Sequence, residues 1–306
     1  MDPSFVIEQM LNGVGYGFML FMLAAGLTLV FGVMDTMNLA HGTLFMLGAY
    51  FAATLHERCG SFVLAVLLAV VLTVVVGALL EMALMRRIYA RSHLNQVVAT
   101  FGVILLADDL VKWLWGPAPV AASTPAALAG PIELGFGLVY PAYRVVILCA
   151  GLLVALLLYL VVNHTRVGML VRAGASNRHM AEMMGVRVKS VFTLIFLIGA
   201  ALAGVAGSLM GPLTSVQVGM GESILIPALV VIVVGGIGSV RGSFIAAMLV
   251  GVVDTAGRAF IPPLLRAFAS PTLAADVGPA LASLTMYLLM ALVLSFKPTG
   301  LFPARG

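Results

Sequence analysis

NHTRVGMLVRAGASNRHMAEMMGVRVK, residues 163–189, is a polar island between two long apolar runs, and its surroundings decide the fold. Val145–Val162 before it and Val191–Leu209 after it carry no charged residue. Residues 10–34, 61–80 and 277–296 are equally uncharged. Crossing a bilayer takes about 20 apolar residues. In lipid the backbone must satisfy its own hydrogen bonds, so such runs are helices. The alternating pattern of a membrane barrel is absent. Composition agrees: 62% of the 306 residues are hydrophobic and 9% charged, with mean hydropathy +1.15, against about 25% charged in soluble domains. The expected fold is an all-α polytopic membrane protein, one domain over residues 1–306, with 8 to 9 transmembrane segments including broken or re-entrant helices.

The island holds Arg166, Arg172, Arg178, Arg187 and Lys189 against one acid, Glu182. Met180, Met183 and Met184 fall at i, i+3 and i+4, so a short helix there shows a methionine face. Ser176 or Asn177 suits its start and Gly185 its end. Two readings stay open. One is a docking knob whose adaptable methionines fit a soluble partner. The other is a loop helix that rests in solvent or on lipid headgroups.

The net charge of +4 does not point to nucleic acid, because the basic residues cluster in loops on one side. One side holds Arg86, Arg87, Arg91, Arg166, Arg172, Arg178, Arg187, Lys189, Arg241, Lys297 and Arg305. The other holds Arg58, Arg144 and Arg266. The richer side is expected to be cytoplasmic, which puts the C-terminus inside. Nine full spans put the N-terminus outside; a re-entrant 37–55 moves it inside. The N-terminus lacks a basic n-region, so no cleaved signal is expected. Cys59 and Cys149 are read as two separate thiols.

The first segment, Gln9–Met34, carries Gly13, Gly15, Gly17, Gly26 and Gly32, which suit close helix packing. Gly199, Ala203, Gly204 and Gly207 do the same in the sixth. Met37–Leu55 opens with Asn38, His41 and Gly42, and Gly48 is expected to interrupt it. Ser223–Val240 contains Pro227 and ends in GGIGSVRG, with Gly235, Gly236 and Gly238. Both are read as broken helices whose freed backbone faces protein or water, and hence as candidate lining of a translocation path. Gly211–Glu222 is read as an outside loop, and residues 116–144 as an external loop with little regular structure.

Charged groups inside the apolar segments are functional candidates by default. Asp108 and Lys112 stand at i, i+4, as do Asp254 and Arg258, and each couple is expected to pair. For Asp108 near Trp113 and Trp115, anchoring at the interface ranks ahead of transport chemistry. For Asp254, a structural clamp and pathway lining both stand. Glu81 is expected to pair with a neighbouring arginine. His41 has no carboxylate or second histidine at ligand spacing, so no metal site is expected. No P-loop, G-x-S-x-G or H-E-x-x-H occurs, and enzymatic function has no support.

MNLAHGTLFMLGAY (37–50), RAGASNRHMAEMMGV (172–186), LIGAALAGVAGSLMGP (197–212), VVGGIGSVRGSF (233–244) and KPTGLF (297–302) occur in that order. As a set they resemble the LivH-like permease subunit of branched-chain amino acid (LIV-type) ABC importers. The resemblance implies a bacterial inner-membrane machine with a second, LivM-like permease, two cytoplasmic ATPases and a periplasmic binding protein. ATP and Mg would belong to the ATPases, and this chain would hold no cofactor. The central loop would be the coupling loop, carried by Ala175, Ser176, Asn177, Met180, Ala181, Met184 and Gly185. Ala-Ser-Asn stands here where many relatives have Ala-Glu-Asn. Related permeases for urea, short amides or aromatic carboxylates are the near alternative. An ion-coupled secondary transporter using Asp108, Asp109 and Asp254 is the distant one.

Overall fold

The computed structural model describes residues 3–36, 38–89, 91–133, 135, 138–176, 178–268 and 270–302, with only the backbone for Pro3, Ala175, Ser176, Arg178 and His179. Met37, Asn177 and Arg305, which entered the readings above, lie outside the described residues. The helices are α1 (Pro3–Met34), α2 (His41–Cys59), α3 (Phe62–Leu80), α4 (Arg86–Ile88), α5 (His93–Trp115), α6 (Ala142–His164), α7 (Arg166–Ser176), α8 (Arg178–Met183), α9 (Val188–Met210), α10 (Met220–Gly235), α11 (Val240–Arg266) and α12 (Pro271–Phe296). A π-helical stretch, Glu81–Met85, runs α3 into α4.

Among the described residues six helices are long and apolar enough to cross a membrane: Ser4–Met34, Phe62–Ile88, Ala142–His164, Val188–Leu213, Val240–Arg266 and Pro271–Phe296. The expected count of 8 to 9 is not established. Helix α10 has only 16 residues, about 24 Å at 1.5 Å per residue. Helix α5 carries Asp108, Asp109 and Lys112 in its second half, and α2 opens on His41 and closes on His56, Glu57 and Arg58.

Helix α1 is central. Its apolar stretch is 83% buried, against 22% for α3, 17% for α6 and 22% for α12, whose leucines and valines form the apolar outer surface. Glycine sets how close the neighbours come. A methyl group added at Gly13 would stand 2.8 Å from the Val252 Cα, and one at Gly17 2.8 Å from the Ala247 carbonyl oxygen. These contacts, with Gly32 against Gly238, run α1 and α11 antiparallel with their backbones nearly touching. The Thr28 and Ser243 hydroxyls complete that interface at 2.7 Å.

Two local expectations give way. Gly48 does not interrupt α2; it packs on Gly204 of α9, where an added methyl would stand 2.7 Å from the Gly204 Cα. Helix α10 passes unbroken through Pro227 and stops at Gly235, so the break follows the helix. The 116–144 loop contains a small antiparallel sheet of β1 (Pro131–Glu133) and β2 (Val139–Pro141). Tyr140 of β2 donates to Asn12 Oδ1 at 2.9 Å, and Tyr143 donates to the Leu209 carbonyl at 2.7 Å. Those bonds tie the loop to α1 and α9, which apolar patterning cannot register.

Candidate functional site

The 163–189 island folds into α7 and α8 and then enters α9. Helix α8 is six residues long and survives because both its end and its inner face are held. Gly185 adopts φ +84°, which a glycine takes without a steric penalty. Its N–H donates to the Glu182 carbonyl at 3.0 Å, and the Val186 N–H donates to the Ala181 carbonyl at 3.0 Å. This paired closure satisfies carbonyls that the helix end would otherwise leave open. Ala181 is buried at 6% exposure while Met180, Met183 and Met184 stand 58%, 73% and 81% exposed. The element therefore presents methionines outward from a fixed stub. Of the other residues assigned to it, Asn177 and the side chains of Ala175 and Ser176 lie outside the description.

A cavity of about 750 Å³ opens beside this loop. Thr28 and Gly32 of α1, Asn163 and Arg172 of the island, and Gly238 and Arg241 of the GGIGSVRG stretch border it. Two segments far apart in sequence are thus brought to one opening. Gly236 and Gly238 have φ of +103° and +80°, and Ser239 caps α11 by accepting from the Gly242 N–H at 3.1 Å. The KPTGLF tail packs on the same stretch, with Gly300 against Gly236. Leu301 and Phe302 N–H groups donate to the Val234 and Gly235 carbonyls at 2.8 and 3.0 Å, capping α10.

The glycines offered as path lining divide. Gly42 is packed on Gly221, Gly235 on Gly242, and Gly236 on Gly300, all through backbone. Only Gly238 of the set borders the cavity. Asn38 and His41 are 2% and 1% exposed. Both Asn38 side-chain polar atoms, His41 Nε2, Thr43 Oγ1 and the Tyr50 hydroxyl are buried without a hydrogen-bond partner in the isolated chain. Unpaired polar atoms at that burial are costly, and natural folds hold few of them.

Charge pairing is partly as expected. Arg258 Nε lies 2.8 Å from Asp254 Oδ2. Lys112, however, pairs with Asp109 at 3.0 Å and not with Asp108. Spacing allowed both i, i+3 and i, i+4, and the rotamer chosen reaches the nearer carboxylate. Glu81 is fully buried and accepts from Arg86 Nε at 3.1 and 2.9 Å. It also accepts from Thr193 at 3.1 Å and Tyr89 at 3.4 Å. Thr193 was not foreseen, since it lies on α9, more than a hundred positions along the chain. Cys59 and Cys149 are both free and exposed. Among the described residues no cluster of three metal-binding side chains occurs.

The profile of the family described as "Branched-chain amino acid transport system / permease component" matches residues 9–294. The chain belongs to this permease family. The permease is 29% identical to the high-affinity branched-chain amino acid transport system permease protein BraD of Pseudomonas aeruginosa, covering 96% of this chain and 95% of that protein. It is 28% identical to the permease protein LivH of the corresponding Escherichia coli system, over 84% and 87%. A probable LivH of Methanocaldococcus jannaschii is 27% identical over 78% and 77%. No solved structure matches. The permease is accordingly a LivH-like, multi-pass membrane protein and a transport component.

The sequence reading also missed Glu222. It was placed in a loop, but it occupies the first turn of α10 and is exposed. Its signal was the uncharged run Ser223–Val240 directly after it, because acids favour the first turn of a helix.

Proposed function

We propose that this permease is one of two transmembrane subunits of an ATP-driven importer and forms half of the route for branched-chain amino acids. In this reading the basic side, with the C-terminus, is cytoplasmic, and the membrane is the bacterial inner membrane. A LivM-like permease, two ATPases and a periplasmic binding protein complete the assembly. ATP and Mg act in the ATPases, and this chain carries no catalytic group.

The observation that carries the reading is the family match across residues 9–294, joined to the outward methionine face of α8. Ala175, Ser176, Asn177, Met180, Ala181, Met184 and Gly185 form the coupling element. A short helix closed at Gly185 and seated through Ala181 moves as a unit when an ATPase pushes it. Helices α7 and α9 continue directly from it, so the push reaches α1 and the cavity at Gly32 and Gly238. Two arrangements of packed helices, one open to each side, then exchange population as nucleotide binds and leaves. Asn38, His41 and Gly42 at the start of α2, and Gly235, Gly236 and Gly238 after α10, frame the route at its two irregular stretches. Selection rests mainly with the binding protein, so the chain needs few charged groups along the way.

The test is reconstitution of the four-component assembly in vesicles. ATP-dependent uptake of leucine, isoleucine or valine supports the proposal. Uptake of urea, short amides or aromatic carboxylates in their place moves the chain to another substrate class of the family. Gradient-driven accumulation by this polypeptide alone overturns it.

A further inference from the structure

Helices α6 and α11 both pack on α1 but make no extensive contact with each other. The cavity of about 750 Å³ is the crevice between them, with α1 as its floor. Both walls belong to helices with largely exposed apolar surfaces, so the crevice opens sideways toward lipid and not along the axis of the bundle. Its far end is shut by aromatic rings. The centre of the Phe244 ring of α11 stands 5.1 Å from that of Phe21 and 6.2 Å from that of Phe18, both on α1. Phe18 sits in turn on Gly151 of α6, where an added methyl would stand 2.8 Å from the Phe18 Cδ1. The α1 floor runs from Phe21 to Val33, twelve residues on, or about 18 Å. One leaflet of hydrocarbon is about 15 Å deep, half of the full layer.

Polarity divides the lining along that length. Toward Phe21 it is apolar, with Leu29, Ala155 and Phe244 on the space; Thr28 is satisfied there by the Ser243 hydroxyl at 2.7 Å. Toward Val33 stand Asn163, Arg172 and Arg241. Among the described residues no carboxylate lines the cavity, and neither arginine has a carboxylate partner. Both are held by neutral groups. Arg172 donates to the Val162 carbonyl, and the Arg241 guanidinium lies 5.6 Å from the centre of the Phe302 ring. A guanidinium has five N–H donors, so each keeps donors and an uncompensated charge for a ligand. Val240 and Arg241 also begin α11, and the N–H groups and dipole at the start of a long helix favour an anion. Tyr159 of α6, 57% exposed, borders the same end one turn before Asn163, as suits a tyrosine at a bilayer interface.

We infer that this crevice binds an anionic glycerophospholipid, with its phosphate between Arg172 and Arg241 and an acyl chain along Leu29, Ala155 and Phe244. A basic pocket between spanning helices at the membrane surface is suited to an anionic headgroup. A free phosphate would leave the apolar part of the crevice unfilled. The site joins two elements: Arg172 belongs to α7, which leads into the methionine helix, and Arg241 to the stretch that follows α10. A lipid between them holds α7 to α11 from the bilayer side. The inference needs only the membrane-spanning fold and is independent of the transported substrate.

The experiment uses the full-length permease in a neutral detergent, first alone and then in the complete assembly. The probe is phosphatidylglycerol with a photoreactive group in its acyl chain, located after irradiation by mass spectrometry. Labelling is expected at Ala155, Phe244 and their neighbours. Unlabelled phosphatidylglycerol is expected to suppress it; phosphatidylcholine with the same chains and free glycerol 3-phosphate are not. Arg172→Gln and Arg241→Gln are expected to weaken that competition about fivefold each and about thirtyfold together, the scale of one lost basic contact apiece. Arg172→Lys with Arg241→Lys is expected to keep most of it, since lysine also binds phosphate. Arg87→Gln removes an exposed charge outside the cavity and is expected to change nothing. Ala155→Trp fills the crevice with both arginines intact and is expected to abolish labelling at Phe244. Equal suppression by phosphatidylcholine would mean an unselective apolar groove and overturns the inference. Unchanged competition in the double glutamine variant overturns it too. So does labelling that vanishes in the complete assembly, because the second permease then covers the crevice.

Discussion

Gly42 and Gly221 meet backbone to backbone, so the first turns of α2 and α10 cross at a single point inside the bundle. Neither position has room for a side chain. Gly42→Ala drives a methyl group into the Gly221 carbonyl and must separate the two helices. The expected cost is about 1–3 kcal/mol, the usual scale of overpacking. A thermal-stability assay in detergent checks it; Gly102→Ala in α5, where an added methyl meets nothing within 4 Å, is the control and should not lower the midpoint.

Glu81 receives three donors at a fully buried site and joins the π-helical end of α3 to Thr193 of α9. Glu81→Ala removes the fully buried carboxylate that Arg86, Tyr89 and Thr193 share as acceptor. A loss of about 1.5–3 kcal/mol is expected, the scale of a hydrogen bond to a charged group. Glu81→Gln should recover part of it, read as the amount of folded protein after mild heating.

In the proposed assembly α8 is the coupling element. Gly185→Arg forces an L side chain into φ +84°, which costs about 1–2 kcal/mol, and it unseats the helix closure. Met184→Asp leaves the backbone intact and puts a charge on the methionine face. Both variants should insert in the membrane, and both should fail to co-purify the ATPases. Normal co-purification of the Met184→Asp protein would count against α8 as the docking knob.

The tail that caps α10 yields a fourth expectation. Removing residues 300–302 and beyond frees the Val234 and Gly235 carbonyls and uncovers Gly236. Proteolysis within 236–239 should then accelerate, while cleavage elsewhere should not. A protease time course followed by mass spectrometry reads it directly.

Asp254 distinguishes a gate from an ion-coupled carrier. Its carboxylate is held by Arg258 through two bonds of 2.8 and 3.2 Å. Asp254→Asn in the complete assembly is expected to lower stability and leave uptake dependent on ATP. Loss of a proton-gradient requirement in the same variant would instead identify Asp254 as a coupling site.

Several features were legible because they are local in the chain. The membrane class follows from residue-by-residue hydropathy. The end of α8 follows from Gly185, which alone tolerates the required backbone angle. Glu81 was assigned an arginine partner because Arg86 is close in sequence. The partner of Lys112 was misread because two carboxylates were in reach and only the packed rotamer chooses between them. Gly48 looked like a break because the chain does not announce that Gly204 will need its space.

By itself, then, the sequence determined that this is a helical membrane permease with a basic, methionine-faced loop, since apolar length, charge bias and motif order are all written along the chain. Only the tertiary structure decided where the helices begin in depth and which surface each charged group faces. Those are relations between residues far apart in sequence: Gly26 with His41, Gly42 with Gly221, Tyr50 with Trp115. They arise because glycine lets backbones approach until the nearest atoms touch, and that distance is set by the partner helix, not by the neighbours in the chain.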